Sequence, residues 1–201
     1  MTVLKRIDEL HRLSMPYEKY FGEMPLSHDE VLRRIEFAET LEDVFFYIFL
    51  LIGESELTAE NLENALEKKL GDTIQAYGLN LEKYDLKDYI KKISKDTIES
   101  TLKDLDEDKL SEDRAVLITE NEVNSVYNKV NLVDAQINGK KFKTWVTMED
   151  NNVRLWHEEV DMKKIPINEK FDVGGELMDF PHDPSASVKN TANCRCICIY
   201  T

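Results

Sequence analysis

Apolar positions recur at helical spacing through the first two thirds of the chain, separated by short polar breaks that carry helix-start signals. Ser27-His-Asp-Glu30 has the form of a capping box and opens a helix, with Pro25 just upstream. The most apolar run, VFFYIFLLI over residues 44–52, reads as a buried helix segment. It is too short for a bilayer, which takes about 20 residues to cross. Thr58-Ala-Glu-Asn61 opens a second helix, with Leu62, Ala65, Leu66 and Leu70 on one stripe and Gly71 as its expected stop. Leu86, Ile90, Ile93, Leu102 and Leu105 line a third. Ser111-Glu-Asp-Arg114 opens a fourth, whose stripe of Val116, Val123, Val126, Val130, Val133 and Ile137 follows the 3.6-residue period.

The pattern then changes. Asn138-Gly139 marks a turn, and residues 142–147 (FKTWVT) read as a strand. Asp150 is expected to cap a short helix carrying Val153, Arg154 and His157. Residues 161–192 read mostly as loop, punctuated by Pro166, Gly174-Gly175, Pro181 and Pro184. Residues 194–200 (CRCICIY) read as a closing strand, with Cys194, Cys196 and Cys198 on one face and Arg195, Ile197 and Ile199 on the other. The expected fold class is α+β: a helical N-terminal region over residues 1–110, then a compact α+β domain with a small β-sheet over 111–201.

Charge sharpens that division. Lys and Arg number 26 against 40 Asp and Glu, a formal net charge of −14 in 201 residues. Only about −3 of this belongs to residues 118–201, so the helical front carries about −11. Such a balance argues against a protein whose main task is gripping nucleic acid through a basic face, most firmly for the helical front, and disfavours an electrostatic membrane anchor. The N-terminal MTVLKRIDELHRL is charged and helical in period, without the apolar stretch of a signal peptide. Three cysteines clumped near the end do not form a disulfide framework, so a reducing compartment is expected.

Three constellations could carry chemistry. On the fourth helix Arg114, Asn121, Asn124, Asn128 and Asn131 share one line, with Glu122 beside them. Their plainest reading is a solvated face; the alternative is a hydrogen-bonding surface against the C-terminal loops or a partner. Next, Arg154 and His157 lie three apart, with Asp150 ahead of them. They could supply a general base and an anion-binding cation, but equally could lock the irregular 161–192 segment in place. Finally, Cys194 and Cys196, with His157 and either His182 or Asp183, could complete a tetrahedral zinc site. Buried reduced cysteines are the plainer account, since zinc sites usually bring wider cysteine spacing. No P-loop, dinucleotide fingerprint, zincin motif or nucleophile elbow is present.

Taken in order, these residues resemble the phage head morphogenesis domain of the Mu protein F-like minor capsid proteins. The resemblance covers residues 111–200. It rests on Arg114-Ala115 with Glu122 and Asn128 on a helix, the Trp145 strand, and Asp150, Val153, Arg154 and His157 in a D-x-x-V-R-x-x-H pattern. Ile165-Pro166, Phe171, Gly174-Gly175, Pro181, Asp183-Pro184 and the closing Asn193-Cys-Arg-Cys196 complete it. Two positions depart from the pattern: an Arg-Thr-Glu is Glu120-Asn-Glu122 here, and a glycine shortly after the His is Met162.

The resemblance implies a phage or prophage minor head protein, associated with the portal protein and other head proteins and acting in head morphogenesis, DNA packaging or ejection. Its expected place is the virion head interior, or the host cytoplasm during assembly, with packaged DNA a further candidate partner. On that reading no cofactor is required, and Arg114, Glu122, Asn128, Asp150, Arg154, His157, Asn193 and Arg195 form a polar core. The rivals are a small nuclease- or toxin-like enzyme using His157, Arg154, Thr147 and Arg195, and a zinc-stabilised module built on Cys194, Cys196, His157 and His182.

Overall fold

A computed structural model describes residues 16–54, 57–103, 105 and 108–201. The helical period read at the extreme N-terminus lies outside the described residues. A helical N-terminal half precedes a small α+β region with two small antiparallel sheets.

Helix α1 (Pro16–Gly22) leads into the long α2 (His28–Glu54), where the Glu30 N–H donates to Ser27 Oγ at 3.3 Å as the capping box requires. The apolar run of residues 44–52 sits inside α2 and buries Val44, Phe45, Ile48, Phe49 and Ile52. No described helix is long and apolar enough to cross a membrane. Thr58 caps α3 (Ala59–Ala76) through the Asn61 N–H. This helix runs past the expected stop at Gly71, because Ile74 continues the buried stripe and Leu81 packs over the bare Gly71 Cα. The chain turns instead at Gly78, whose φ is +75°.

Helix α4 (Lys87–Lys103) also differs from expectation. Its buried stripe is Ile90, Ser94, Thr97, Ile98 and Thr101, while Leu102 and Leu105 face solvent. The inward Thr101 hydroxyl donates to the Thr97 carbonyl and receives Arg114, which is why a polar residue holds that position. A 3-10 turn (Asp108–Leu110) precedes α5 (Glu112–Ile137), capped by Ser111 Oγ.

Strand β1 (Phe142–Val146) is central in a three-stranded antiparallel sheet, between β2 (Lys164–Pro166) and β5 (Ile197–Tyr200). Trp145 is opposite Cys198 and Val146 opposite Ile197. The period of two then gives the sheet two apolar faces. Val146 and Ile197 join the core of α1–α5, whereas Trp145 and Cys198 join a second core with Phe171, Val173, Met178 and Phe180.

The segment read as loop over residues 161–192 holds more structure than its prolines and glycines suggest. Besides β2 it contains a hairpin of β3 (Phe171–Val173) and β4 (Glu176–Met178), and a short helix. Gly174 and Gly175, with φ of +60° and +85°, make its two-residue turn. The closing strand is shorter than expected: Cys194 to Cys196 approach it as irregular chain, and β5 starts at Ile197.

Candidate functional site

Helix α5 is the beam on which the site is built. Its Val123, Val126 and Val130 pack into the helical core, and its Asn121, Asn124 and Asn128 face the C-terminal segment. Asn128 Nδ2 donates to the Pro181 carbonyl (2.9 Å), Ser125 Oγ to the His182 carbonyl (3.0 Å), and the Asn193 N–H to Asn121 Oδ1 (2.8 Å). Asn124 is fully buried and bridges Arg34, Tyr20 and the Cys194 carbonyl. The line is therefore a hydrogen-bonding surface rather than a solvated face.

The single-turn helix α6 (Leu155–Glu158) carries His157 inward, to 1% exposure. Asp150 does not cap it. Arg154 holds the N-cap position without a side-chain cap bond, while Asp150 Oδ1 receives the Asn152 N–H and Oδ2 pairs with Arg195. Burial works to raise the Asp150 carboxyl, but Arg195 and the Asn152 N–H outweigh it and hold it below the usual range. The Arg154 guanidinium donates to the Ala192 carbonyl just before the cysteines. Arg195 also reaches Glu23 at the end of α1 (3.2 Å), so it spans the helical and C-terminal regions.

Around His157 three side chains converge. Its Nδ1 lies 3.6 Å from Cys194 Sγ and 3.5 Å from Cys196 Sγ, with all three residues buried. Its Nε2 faces Asn190 Oδ1 at 3.4 Å. Asn190 lies on helix α7 (Val188–Thr191); its Oδ1 also receives Trp156 Nε1 (2.5 Å), and its Nδ2 donates to the Val173 carbonyl (3.1 Å). A carbonyl only accepts and an indole N–H only donates, so the Asn190 amide has one consistent orientation. His157 Nε2 must then carry the proton, and the Nδ1 lone pair points at the sulfurs.

The cysteines are free. A hydrogen bond from the Cys196 thiol pulls Cys194 well below the usual thiol value against the effect of burial. Cys196 is driven the other way by Cys194 and by burial, and burial pushes Cys198 up to about 12. A cavity of about 10 Å³ opens beside the cluster, lined also by Met148, Asn152, Arg154 and Arg195.

Other candidate residues lie apart. His182 donates from Nε2 to the Cys194 carbonyl instead of joining the sulfurs. Asp183 turns its carboxylate to the Asp179 and Ser185 N–H groups. Thr147 is buried, with its N–H on Asp161 (2.7 Å) and its hydroxyl accepting from the Glu149 N–H (3.4 Å). Arg114 sits near the N-terminus of α5, over the Phe49 ring, and ties in Thr101, Ser100 and the Lys109 carbonyl. Glu122 receives the Tyr89 hydroxyl, and burial pushes its carboxyl up to about 8. These two line a groove of about 630 Å³ between α4, α5 and the 182–191 segment.

A model of the phage Mu protein F-like family matches residues 60–199. The chain belongs to that family. It is a family of minor head and head-morphogenesis proteins, and membership implies other virion proteins as partners. The matched span opens at residue 60, so it takes in α3 and α4 as well as the stretch from Ser111 onward. No curated protein and no solved structure matches the chain.

Sequence reasoning missed Arg34, Tyr20, Asn190 and Trp156. Arg34 is wholly buried in α2 and looks like any helix-surface arginine in the sequence. Asn190 sits among polar loop residues with no local signal of the three partners it holds.

Proposed function

We propose that this chain is a minor head protein of a phage or prophage, one that associates with the portal protein and acts in head morphogenesis, DNA packaging or ejection. The observation that carries this reading is the family match over residues 60–199. The geometry supports a structural use of the residues that form the family pattern. Asn128 and Arg154 spend their side chains on backbone carbonyls of the 181–192 segment, and Arg195 clamps Asp150 and Glu23. They hold a long C-terminal segment in one conformation on α5, as docking into a fixed assembly requires.

The rival reading as an RNA-cleaving domain asks His157 to act as a general base toward a bulky substrate. At 1% exposure, with Nε2 given to Asn190, its imidazole faces two sulfurs rather than an open cleft. Thr147 lines no part of the cavity beside it.

Co-expression with the portal protein encoded by the same phage tests the proposal. The chain is expected to co-purify with portal rings, and RNA incubated with it is expected to stay intact. Failure to bind portal rings, together with RNA cleavage that follows the chain through purification, would overturn it.

A further inference from the structure

The buried trio at the centre of the C-terminal core has the geometry of a metal site. In a tetrahedral zinc centre with Zn–S of about 2.3 Å and Zn–N of about 2.05 Å, sulfur and nitrogen ligands stand about 3.6 Å apart. His157 Nδ1 stands 3.6 Å from Cys194 Sγ and 3.5 Å from Cys196 Sγ, and the ligand atoms all lie within 4.8 Å of one another. We propose that His157 Nδ1, Cys194 Sγ and Cys196 Sγ bind a thiophilic divalent cation, zinc by choice of donors, with the fourth position completed by water from the adjoining cavity.

Three further observations converge on this site. The first is the tautomer of His157. Asn190 accepts the Nε2 proton and leaves the Nδ1 lone pair facing both sulfurs, the outer hydrogen bond that orients a ligating imidazole. Asn190 is pinned in turn by Trp156 and the Val173 carbonyl, so the ring is set by groups outside the trio. The second is Trp145, whose buried indole N–H has no hydrogen-bond partner among the described residues and whose ring stands edge-on to His157, centroids 5.5 Å apart. A buried donor left unpaired in this core is free to serve a thiolate. The third is the cavity of about 10 Å³, about the size that admits one water, at the trio and otherwise lined mainly by polar side chains.

The donor set also decides against the other candidates. His182 Nε2 is committed to the Cys194 carbonyl and Asp183 to backbone N–H groups, so neither completes the tetrahedron. Binding takes both sulfurs as thiolates, and any proton they still carry leaves to solvent. A dication with two thiolates and a neutral imidazole is then net neutral, which is how so buried a site tolerates the ion. The ion would cross-link α6 to the approach to β5, joining segments 37 and 39 residues apart in the chain.

The test uses the full chain, purified without chelator and assayed for metal, then stripped, reduced and titrated with cobalt(II). Expected are stoichiometric zinc as purified and, on titration, the intense visible and sulfur-to-cobalt bands of a tetrahedral thiolate site, bleached by added zinc. Cys198→Ser is expected to keep these bands, since Cys198 lies outside the trio; Cys194→Ser and Cys196→Ser each lose them. Asn190→Ala is expected to bind about 10- to 100-fold more weakly. If the cysteine variants fail to fold, the wild-type chain decides alone. An absence of both zinc and cobalt bands in a chain whose three thiols titrate as reduced overturns the proposal, as does an octahedral cobalt spectrum.

Discussion

The Asn128 side-chain amide, 2% exposed, donates to the carbonyl of Pro181 across 53 residues of chain. That bond shows what the asparagine line of α5 is for. An irregular segment carries backbone carbonyls with no ladder to join, and burying one unpaired costs about 1–3 kcal/mol. Asn128→Ala should therefore cost about 1–3 kcal/mol in urea unfolding. Asn131→Ala, whose partner Glu30 keeps contact with solvent, should cost less than about 1 kcal/mol. Equal, negligible effects would mean that the line does not hold the loop.

Arg34 offers a second test. It is fully buried, its guanidinium meeting Glu30 (2.8 Å) and Asn124 (2.5 Å) over the Tyr127 ring, while Nε has no partner among the described residues. Burial pulls its pKa below the usual arginine value, with Glu30 opposing. Glu30→Ala strands the cation and should cost about 2–3 kcal/mol, the lower range for a pair with one partly solvated member. Arg34→Met, which removes the charge and keeps the bulk, should cost less in the same unfolding assay. The reverse order would show that the charge itself stabilises the core.

Backbone strain gives a third. Met162 makes a left-handed turn without glycine, at φ +54° and with its N–H on the Trp145 carbonyl (2.8 Å). Met162→Gly should stabilise the fold by about 0.5–1 kcal/mol, relief of left-handed strain outweighing the added chain entropy. Gly174→Ala should do the opposite. Its φ is +60°, and a Cβ there would meet Trp156 Cγ at 2.9 Å, for a loss of about 2 kcal/mol or more. Thermal midpoints of the two variants check both signs.

Two carboxyls on α5 contribute to the pH response. Burial pushes Glu122 up to about 8 and Glu120 up to about 7, Arg195 opposing the latter. Folded chains then hold protons that unfolded chains release above the ordinary value of 4.5, so this contribution is complete at low pH and is lost as pH rises toward about 8. Thermal midpoints should fall between about pH 5 and pH 8, and Glu120→Gln with Glu122→Gln should flatten that fall. An unchanged slope would contradict the assignment.

The helix starts at Ser27, Thr58 and Ser111 were legible in the sequence because capping is local: the signal and its consequence lie within four residues. The β1 strand and the Asn138-Gly139 turn were legible for the same reason. What was not legible depended on distant partners. Gly71 reads as a stop until Leu81 is seen packing over it, and Asp150 reads as a cap until Arg195 arrives from 45 residues away. Period alone told which residues share the face of α5, but not that the asparagine face would be buried by a segment with hardly any periodicity of its own. The cysteine alternation was visible, whereas the convergence of His157 on two of the three sulfurs, and the Asn190 bond that turns its ring, belong to tertiary structure.

The central claim is that this chain is a component of the phage head. Mass spectrometry of heads purified from the phage or induced prophage that encodes it tests this most directly. The account predicts the chain in both proheads and filled heads. Its absence from both, with the chain recovered only free in the lysate, would contradict the account.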